Sequence, residues 1–314
     1  MRNAGKTMKT VVLGSINIDR TYSVEHFVQC GETIKAARMD LFCGGKGFNQ
    51  AVALSRAGME VFFAGALGED GGMLEKALRE EQIHTDYLLH TEGPTGHAVI
   101  QNDAAGQNCI IILPGANGKI TCDDIDRILG HFSAGDLVVL QNEISNVDHA
   151  IRKAHERGMR IAFNPSPYQE TIRSYDLHLV DYLFVNEVEG AALSEKGSAG
   201  EVLLRLHELY PDTKVILTMG SEGSATIGRE GTITKCGVYQ VQTVDTTAAG
   251  DTFTGYYLRS AVEGAEEKEA LETAAIASGI AVSRKGASPS VPHYQEVDTV
   301  KKTMREENWK ECWL

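Results

Sequence analysis

Residues 245–255 of this chain read DTTAAGDTFTG, and small residues surround the carboxylate of Asp251. An alternating apolar run over residues 238–244 predicts a strand before this segment, and a helix is predicted after it, over about residues 251–263. Small residues at a helix N-terminus let backbone N–H groups close around an anion, and the helix dipole adds partial positive charge. A carboxylate beside such a cradle suits a base that removes a proton while a phosphoryl group is held next to it. The alternative is a glycine-assisted turn with Asp251 as the helix N-cap.

Other polar residues follow the ends of predicted strands. Ligands of open α/β sheets bind at the carboxyl ends of the strands, so these residues predict a ligand cleft along one edge. Each one alone could equally be a cap or turn residue, but six groups at one edge favour a cleft. The groups are Asn17 and Asp19 after strand 10–14, Gln141, Asn142 and Glu143 after strand 137–140, Asn164 after strand 160–163, Asn186, Glu187 and Glu189 after strand 182–185, Gly220, Ser221 and Gly223 after strand 214–218, and Asp245 and Asp251 after the last edge strand.

Two further glycine-rich stretches could approach a ligand closely. Residues 43–49 (CGGKGFN) do not match a P-loop, and Lys46 and Asn49 in them offer donors that suit a small polyol. A plain strand-to-helix turn is the alternative for this stretch. Residues 219–224 (MGSEGS) follow a predicted strand and indicate a loop that meets phosphates or a nucleotide.

Asn186 and Glu189 lie three residues apart at a predicted helix start, so their side chains share one side of the helix. An amide and a carboxylate in this arrangement can hold a hydrated Mg²⁺, which prefers oxygen ligands and keeps several waters. A helix-capping arrangement would use the same two residues.

Composition excludes several classes of function. The formal net charge of −13, from 30 basic and 43 acidic residues, argues against nonspecific nucleic-acid binding and against docking on anionic lipid. No apolar run predicts a membrane span, and the basic N-terminus lacks the apolar stretch of a signal peptide, so a cytoplasmic protein is expected. Six cysteines without metal-ligand spacing predict reduced, mostly packed thiols and no structural zinc. They are Cys30, Cys43, Cys109, Cys122, Cys236 and Cys312.

Strand–helix alternation from about residue 137 onward predicts a mainly parallel sheet with helices on both faces. Short strands near residues 225–227, 232–236 and 238–244 are expected to lie antiparallel at one edge, before two long helices near residues 251–263 and 267–283. The whole chain, residues 1–314, is interpreted as one α/β domain. The β-rich pieces at about residues 20–42 and 94–113 predict a small sheet that projects from it. Such a sheet has an apolar face that could cover a ligand cleft, pair with a second subunit, or both.

The order of these segments resembles the PfkB family of carbohydrate kinases over nearly the whole chain, and within it the ribokinase branch. The matching stretches are residues 14–19 (GSINID), 44–51 (GGKGFNQA), 114–117 (PGAN), 140–143 (LQNE), 164–167 (NPSP), 186–189 (NEVE), 245–251 (DTTAAGD) and 284–290 (RKGASPS). The resemblance implies a three-layer sandwich with a mainly parallel central sheet and a small projecting β-sheet lid. It also implies ATP-dependent phosphoryl transfer to the 5-hydroxyl of ribose, with Mg²⁺ and an activating K⁺, in a homodimer formed through the lid.

The resemblance assigns roles residue by residue. Asp251 would be the base, and the backbone of Ala248, Ala249 and Gly250 would form the anion hole. The sugar hydroxyls would be held by Asn17, Asp19, Gly45, Lys46, Asn49 and Glu143. ATP would meet Asn186, Gly250 and the loop of Met219, Gly220, Ser221, Glu222, Gly223 and Ser224, while Glu189 would orient Mg²⁺ through its waters. The K⁺ ligands would be Asp245, Thr247, Ala281, Arg284, Gly286 and Ser290, mostly through carbonyl oxygens.

Three residues depart from the family pattern. Phe48 replaces a small residue in the sugar-binding turn, His97 replaces an apolar lid residue, and Ala275 stands where some members have an asparagine near adenine. The first two leave open a kinase for deoxyribose, another pentose or ketose, or a nucleoside. A sensor that binds sugar or nucleotide without turnover is a further alternative. The Asp251 carboxylate beside an intact Ala-Ala-Gly argues against it, because a pure binder gains nothing from that charge.

Overall fold

The computed structural model of the protein describes residues 8–105, 107–303 and 309–310. A sheet of nine strands forms its centre, and seven of the nine are parallel to their neighbours. With strands numbered in chain order, the spatial order across the sheet is β13 (Ile233–Cys236), β12 (Ser224–Ile227), β11 (Lys214–Thr218), β10 (Tyr182–Asn186), β9 (Arg160–Asn164), β8 (Leu137–Gln141), β1 (Thr10–Leu13), β4 (Val61–Leu67) and β5 (His84–His90). The strands β12 and β13 are antiparallel, as the sequence predicts for this edge.

Helices cover both faces of this sheet, which gives the predicted three layers. Strand β1 shows why: Val11 and Leu13 pack into one apolar core, and Val12 packs into the other. The first core is closed by α3 (Cys122–Leu129), α4 (Val147–Glu156), α5 (Glu187–Ser194) and α6 (Ala199–Leu209). The second is closed by α1 (Lys46–Arg56), α2 (Gly72–Glu80), α7 (Ala249–Val262), α8 (Glu267–Val282) and α9 (Tyr294–Thr303). None of the helices in the described ranges has the length and apolarity that a membrane crossing requires.

A second sheet of four strands projects from this body, and we call it the lid sheet. Its order is β3 (Arg38–Gly44), β2 (Asn17–Ser23), β6 (Gly96–Asn102) and β7 (Asn108–Leu113). The two outer pairs are antiparallel, while β2 and β6 run parallel. Strand β2 begins at Asn17, so the chain passes from β1 into the lid sheet almost directly. Asn17 and Asp19 therefore lie on a lid strand rather than at the end of strand one, where the sequence placed them.

One predicted strand was wrong, and one strand of the main sheet was missed. The alternating run 238–244 forms only the short strand β14 (Val238–Tyr239), which pairs with β15 (Trp309–Lys310) instead of joining the main sheet. Asp245 consequently follows a loop and not an edge strand. The edge strand β5 was not predicted at all. Its sequence HTDYLLH lacks regular alternation because, at the sheet edge, all seven of its residues are only half-buried or exposed.

Cys30, Cys43, Cys109 and Cys122 are free thiols in the described part of the chain, but the cysteines there are not mostly packed. Only Cys236 is buried, and Cys43 is half-buried. Cys30, Cys109 and Cys122 are exposed because they occupy a loop, an outer lid strand and a helix start. Cys312 lies outside the described residues.

Candidate active site

Asp251 accepts hydrogen bonds from two side chains at the start of helix α1. Nδ2 of Asn49 lies 3.1 Å from Oδ2 of Asp251, and Nε2 of Gln50 lies 2.9 Å from Oδ1. Asp251 is only 6% exposed and sits in the first turn of α7. Its side chain is therefore not the helix N-cap that the sequence allowed, since no described side chain caps α7. The fold instead joins the glycine-rich turn of residues 43–49 to the carboxylate.

Glu143 ties the same turn to the end of strand β1. Its Oε2 accepts a hydrogen bond from the Lys46 amide at 2.9 Å and another from the Ser15 hydroxyl. Ser15 in turn accepts from the Gly47 amide at 3.2 Å. Burial would lower the pKa of Lys46, but the negative charges of Asp251, Glu143 and Glu189 raise it overall. The Lys46 ammonium therefore stays charged among these carboxylates.

Asp19 faces the same region from lid strand β2. Burial, with a further contribution from the charge of Glu143, raises the pKa of Asp19 to about 7. A Cβ atom on Gly44, which pairs across from Asn17, would lie 2.0 Å from Oδ2 of Asp19. Only glycine at position 44 leaves room for this carboxylate, so the turn and the lid strand are fitted to each other.

Asn17 is oriented by a residue that the sequence did not single out as a site residue. Nδ2 of Asn117 donates to Oδ1 of Asn17 at 2.8 Å, and Oδ1 of Asn117 accepts from the Ile16 amide at 3.2 Å. Asn117 ends the stretch PGAN, so its place in a matching motif was the available signal. Ser15 and Gln50 also lie in matching stretches, and neither was assigned a role in the site.

The segment Ala248–Gly250 forms the start of helix α7. Ala248 has a φ of 59°, a left-handed conformation that residues other than glycine seldom adopt. Left-handed residues at such turns gather successive backbone N–H groups into anion-binding concavities. Within the described structure the amide of Ala249 donates to the carbonyl of Thr246. The amides of Gly250 and Asp251 lie in the first turn of the helix, where no earlier carbonyl of the helix can accept their hydrogen bonds. In the described structure the amides of Gly250 and Asp251 are therefore available to an anion, while that of Ala249 would first have to leave Thr246, and the anion hole stays a prediction.

A cavity of about 530 Å³ opens beside this helix start. Its walls come from the predicted nucleotide loop, the N-terminus of α7 and one face of α8, namely Thr218, Gly220, Ser221, Gly223, Ser224, Ala249, Gly250, Ala275, Ser278 and Gly279. Two residues of the predicted loop are placed differently. The Met219 side chain packs into the apolar core, and Glu222 accepts a hydrogen bond from Lys310 at 2.7 Å. Ala275 lies on the cavity wall, and its contact with adenine stays a prediction.

Asn186 and Glu189 form a reciprocal capping box at the start of helix α5. Oδ1 of Asn186 accepts from the Glu189 amide at 2.9 Å, and Oε2 of Glu189 accepts from the Asn186 amide at 3.0 Å. The capping alternative is therefore present. Glu189 is buried, and its cap bond uses only Oε2, so the cap leaves Oε1 for a contact with metal-bound water as far as the described residues go.

The residues expected to bind a monovalent cation are partly brought together. The Thr247 hydroxyl and amide donate to Oδ1 of Asp245 at 2.6 Å and 2.9 Å, and the Gly286 amide donates to Oδ2 at 2.9 Å. The carbonyl of Ala281 accepts from the Arg284 amide at 3.0 Å. The Ser290 hydroxyl donates to the Ala287 carbonyl and not to Asp245. Carboxylate, hydroxyl and carbonyl oxygens are the donors that a hard cation uses, so the set fits K⁺.

Phe48 and His97, two of the residues that depart from the family pattern, have different surroundings. Phe48, on α1, is 1% exposed and belongs to the same apolar core as Ile16 and Ala51. The core therefore accommodates the large side chain of Phe48. His97 is half-buried on lid strand β6, where Nδ1 lies 3.2 Å from the Thr95 carbonyl. Among the described residues no group of three or more histidine, cysteine, aspartate or glutamate side chains could hold a metal ion.

Comparison with known proteins places this geometry in a family. The profile of the pfkB family carbohydrate kinases matches residues 7–294. A ribokinase of Haemophilus influenzae is 33% identical over 295 residues, which cover 91% of this chain and 95% of that protein. A ribokinase of Arabidopsis thaliana is 35% identical over 308 residues, which cover 91% of this chain and 79% of that protein. The solved structure of Arabidopsis thaliana ribokinase complexed with ribose and ATP superposes with a TM-score of 0.86, at 31% identity, over 95% of this chain and 100% of that one.

Proposed function

The chain belongs to the pfkB family of carbohydrate kinases, and from that premise we propose that it is an ATP-dependent ribokinase. It would convert ribose and ATP to ribose 5-phosphate and ADP. Ribokinases at 33% and 35% identity, and a similar fold solved with ribose and ATP, support the choice of ribose. The observation that carries the proposal is the position of Asp251, which contacts the glycine-rich turn through Asn49 and adjoins Gly250 on the cavity wall.

The sugar would bind between the lid sheet and the turn at residues 43–49. Asn17 and Asp19 on β2 would meet its hydroxyls from one side, and Gly45, Lys46, Asn49 and Glu143 from the other. Oδ1 of Asn49 is buried and has no hydrogen-bond partner among the described residues, so a sugar hydroxyl would satisfy an acceptor that is otherwise left bare. Closure of the lid sheet would exclude water that could hydrolyse ATP.

Transfer would then depend on position and charge. Asp251 would take the proton from the attacking hydroxyl, and the backbone of Ala248, Ala249 and Gly250 would stabilise the negative charge on the moving phosphoryl group. The nucleotide would fill the 530 Å³ cavity against the loop of residues 219–224, and Asn186 would reach it from strand β10, where it pairs with the cavity residue Thr218. Lys46, whose raised pKa keeps it charged, would balance the surrounding carboxylates.

Two cations complete the proposal. Mg²⁺ bound to ATP would neutralise charge on the phosphates, and the free oxygen of Glu189 would orient its waters. K⁺ would be held beside the anion hole by Asp245, Thr247, Ala281, Arg284, Gly286 and Ser290, and would add positive charge to the start of α7. We further infer a cytoplasmic homodimer joined through the lid sheet, whose exposed apolar residues need a cover.

An assay of ADP release with MgATP and a panel of sugars tests the proposal. Ribose is expected to give the highest kcat/KM, and phosphorus NMR of the product should show a phosphate ester at the 5-position. A preference for deoxyribose, another sugar or a nucleoside would replace ribose as the assigned substrate but leave the kinase activity as proposed. If no acceptor stimulates ATP turnover, the proposed function is contradicted, and the alternative of a sensor that binds sugar or nucleotide without turnover is favoured.

A further inference from the structure

We propose that Gln50 and Gln141 are positioning residues, forming a buried amide relay that aims the Asp251 carboxylate. This inference rests on the proposed function, because it concerns the base of that reaction. Neither glutamine is assigned to the sugar, the nucleotide or a cation.

The relay is a continuous chain of hydrogen bonds across three elements. Nε2 of Gln141, at the end of strand β8, donates to Oε1 of Gln50 on helix α1 at 2.7 Å. Nε2 of Gln50 then donates to Oδ1 of Asp251 on helix α7 at 2.9 Å. Both glutamines are 0% exposed, so water does not compete for these groups. Burying a primary amide costs free energy unless it forms hydrogen bonds. The two bonds of the relay therefore hold the glutamines rigidly in this arrangement.

The direction of the chain has a chemical consequence. A glutamine amide has one donating and one accepting end, so the bond from Gln141 fixes which end of Gln50 faces Asp251. It is the NH₂ end. An ionised carboxylate can only accept, so this orientation of the relay matches the form of Asp251 that acts as a base. A reversed Gln50 would place a carbonyl oxygen against the carboxylate.

Backbone packing holds the first member of the relay. A Cβ atom on Gly14, just after strand β1, would lie 2.1 Å from Oε1 of Gln141 and 2.8 Å from Cα of Gly47. Only glycine at position 14 therefore leaves space for the Gln141 amide. Oε1 of Gln141 itself accepts no hydrogen bond in the described part of the chain, so Gln141 is held there through its donated bond to Gln50.

Two variants separate positioning from simple packing. Gln50→Met keeps the size of the side chain and removes the donor to Asp251. Gln141→Glu keeps size and polarity, and once ionised it offers only acceptors, so Gln50 must then turn its NH₂ group toward position 141 and its carbonyl toward Asp251. Ser260→Ala on the same helix α7 is the matched control, because it removes a buried hydrogen bond, to the Tyr256 carbonyl, that has no link to Asp251.

The readout is kcat and sugar KM at saturating MgATP, from pH 5.5 to 9. For Gln50→Met we expect kcat to fall about 10- to 100-fold, as for a misplaced reacting group, with sugar KM within about threefold of wild type. For Gln141→Glu we expect a similar loss, and the acid limb of the kcat profile should move up by about one pH unit, because an acceptor then faces the carboxylate. Ser260→Ala should keep the wild-type profile.

Wild-type kcat and an unshifted pH profile in both folded variants would overturn the relay. A loss of kcat in Ser260→Ala as large as in the two glutamine variants would also overturn the relay, because it would show that any loosening of α7 lowers kcat. Thermal melting checks folding, and if Gln50→Met does not fold, Gln141→Glu decides alone. A wild-type enzyme that prefers another sugar removes the ribose assignment only, since the relay test can run on any acceptor that is turned over.

Discussion

Nδ2 of Asn49 donates a hydrogen bond to Oδ2 of Asp251 at 3.1 Å, across 202 positions of the chain. The turn proposed to hold the sugar and the proposed base are thus joined without any ligand. Because Oδ1 of Asn49 is buried and bonded to no described residue, its amide can rotate at little cost and accept instead of donate. A neutral amide at position 251 should therefore be tolerated by the fold.

For Asp251→Asn we expect a fully folded protein whose kcat is lower by about 10²- to 10⁴-fold, the usual contribution of a general base. Sugar KM should change only a few-fold, because an asparagine still hydrogen-bonds to its neighbours. Coupled ADP release at saturating substrates measures the effect. Asp298→Asn, at an exposed ion pair with Lys302, is the control and should behave as wild type. Undiminished turnover in Asp251→Asn would mean that another group removes the proton.

The ionisation of Asp19 should appear in sugar binding. Its pKa is raised to about 7, chiefly by burial and further by Glu143. An ionised carboxylate accepts hydrogen bonds from two sugar hydroxyls, whereas the protonated form accepts less well. Sugar KM should consequently fall as pH rises from about 6 to 8, and Asp19→Asn should raise KM and remove most of this dependence. A wild-type KM that is constant over this range would exclude Asp19 as an ionising sugar ligand.

The same group gives an independent check without substrate. The folded-state pKa of Asp19 lies above its ordinary value of 3.8, so the folded protein binds the proton more tightly than the unfolded chain. Ionising Asp19 therefore lowers the free energy of unfolding as pH rises from about 4 through about 7. Asp19→Asn should melt above wild type at pH 8, and the difference should shrink by pH 5. An equal difference at both pH values would contradict the assigned cause.

Replacing K⁺ with Na⁺ or Tris should lower activity if Asp245 and its neighbours hold a monovalent cation. Burial would raise the pKa of Asp245, but hydrogen bonds from Thr247 and Gly286 lower it overall. The carboxylate is therefore ionised throughout the neutral range, and activation by K⁺ should not change between about pH 6 and 9. Asp245→Asn should weaken the response to K⁺ in the same assay. Equal rates in K⁺ and Na⁺ would remove the cation from the proposal.

Sequence patterns predicted most of the fold because the buried parallel strands are short apolar runs with clear ends, such as Lys214–Thr218. The fold class and the family were confirmed. The prediction of one strand over residues 238–244 was wrong because the alternating apolar residues there lie in two different environments. Val238 and Tyr239 pair with Trp309 and Lys310, and several of the residues that follow line the 530 Å³ cavity. Local alternation does not distinguish a sheet strand from a cavity wall.

The site was predicted where residues belong to recognisable motifs and missed where they act through other residues. Asp251, Asn49 and Glu143 each lie in such a motif. Gln50 adjoins one, but its hydrogen bond to Asp251 spans 201 positions and follows from the packing of α1 on α7. Likewise, the reciprocal cap between Asn186 and Glu189 was one of two readings of the same spacing. Spacing along a helix gives the shared face but not the bonds made there.

The lid sheet should mediate dimer formation. Its outer strand β7 exposes every residue, and Ile111 is 65% exposed while Ile110, Ile112 and Leu113 beside it are also exposed. Ile111→Asp is expected to place charge in the interface and shift the protein to a monomer in size-exclusion chromatography with light scattering. Leu204→Asp, an exposed position on helix α6, is the control and should leave the mass unchanged. A wild-type protein that is already monomeric at micromolar concentration would refute the lid dimer.

Lys310 should contribute to ATP binding from outside the family motifs. Its Nζ donates to the Ser221 carbonyl at 2.9 Å and to Oε1 of Glu222 at 2.7 Å, which fastens the C-terminal strand β15 across the nucleotide loop. The ring of Trp309 packs edge-on against Tyr239 with centroids 6.4 Å apart, and both Tyr239 and Lys310 line the cavity. The strand therefore holds the loop in the shape that borders the cavity.

We expect Lys310→Ala to raise KM for ATP about two- to fivefold with unchanged sugar KM, since an exposed ion pair contributes at most about 1 kcal/mol. The effect should be larger at low ionic strength, because salt screens a half-exposed charge. Initial rates at varied ATP and saturating sugar measure it. Lys302→Ala, which breaks an exposed pair with Asp298 on helix α9, controls for loss of a surface lysine. If Lys310→Ala and Lys302→Ala have the same KM for ATP, the C-terminal strand does not shape the nucleotide loop.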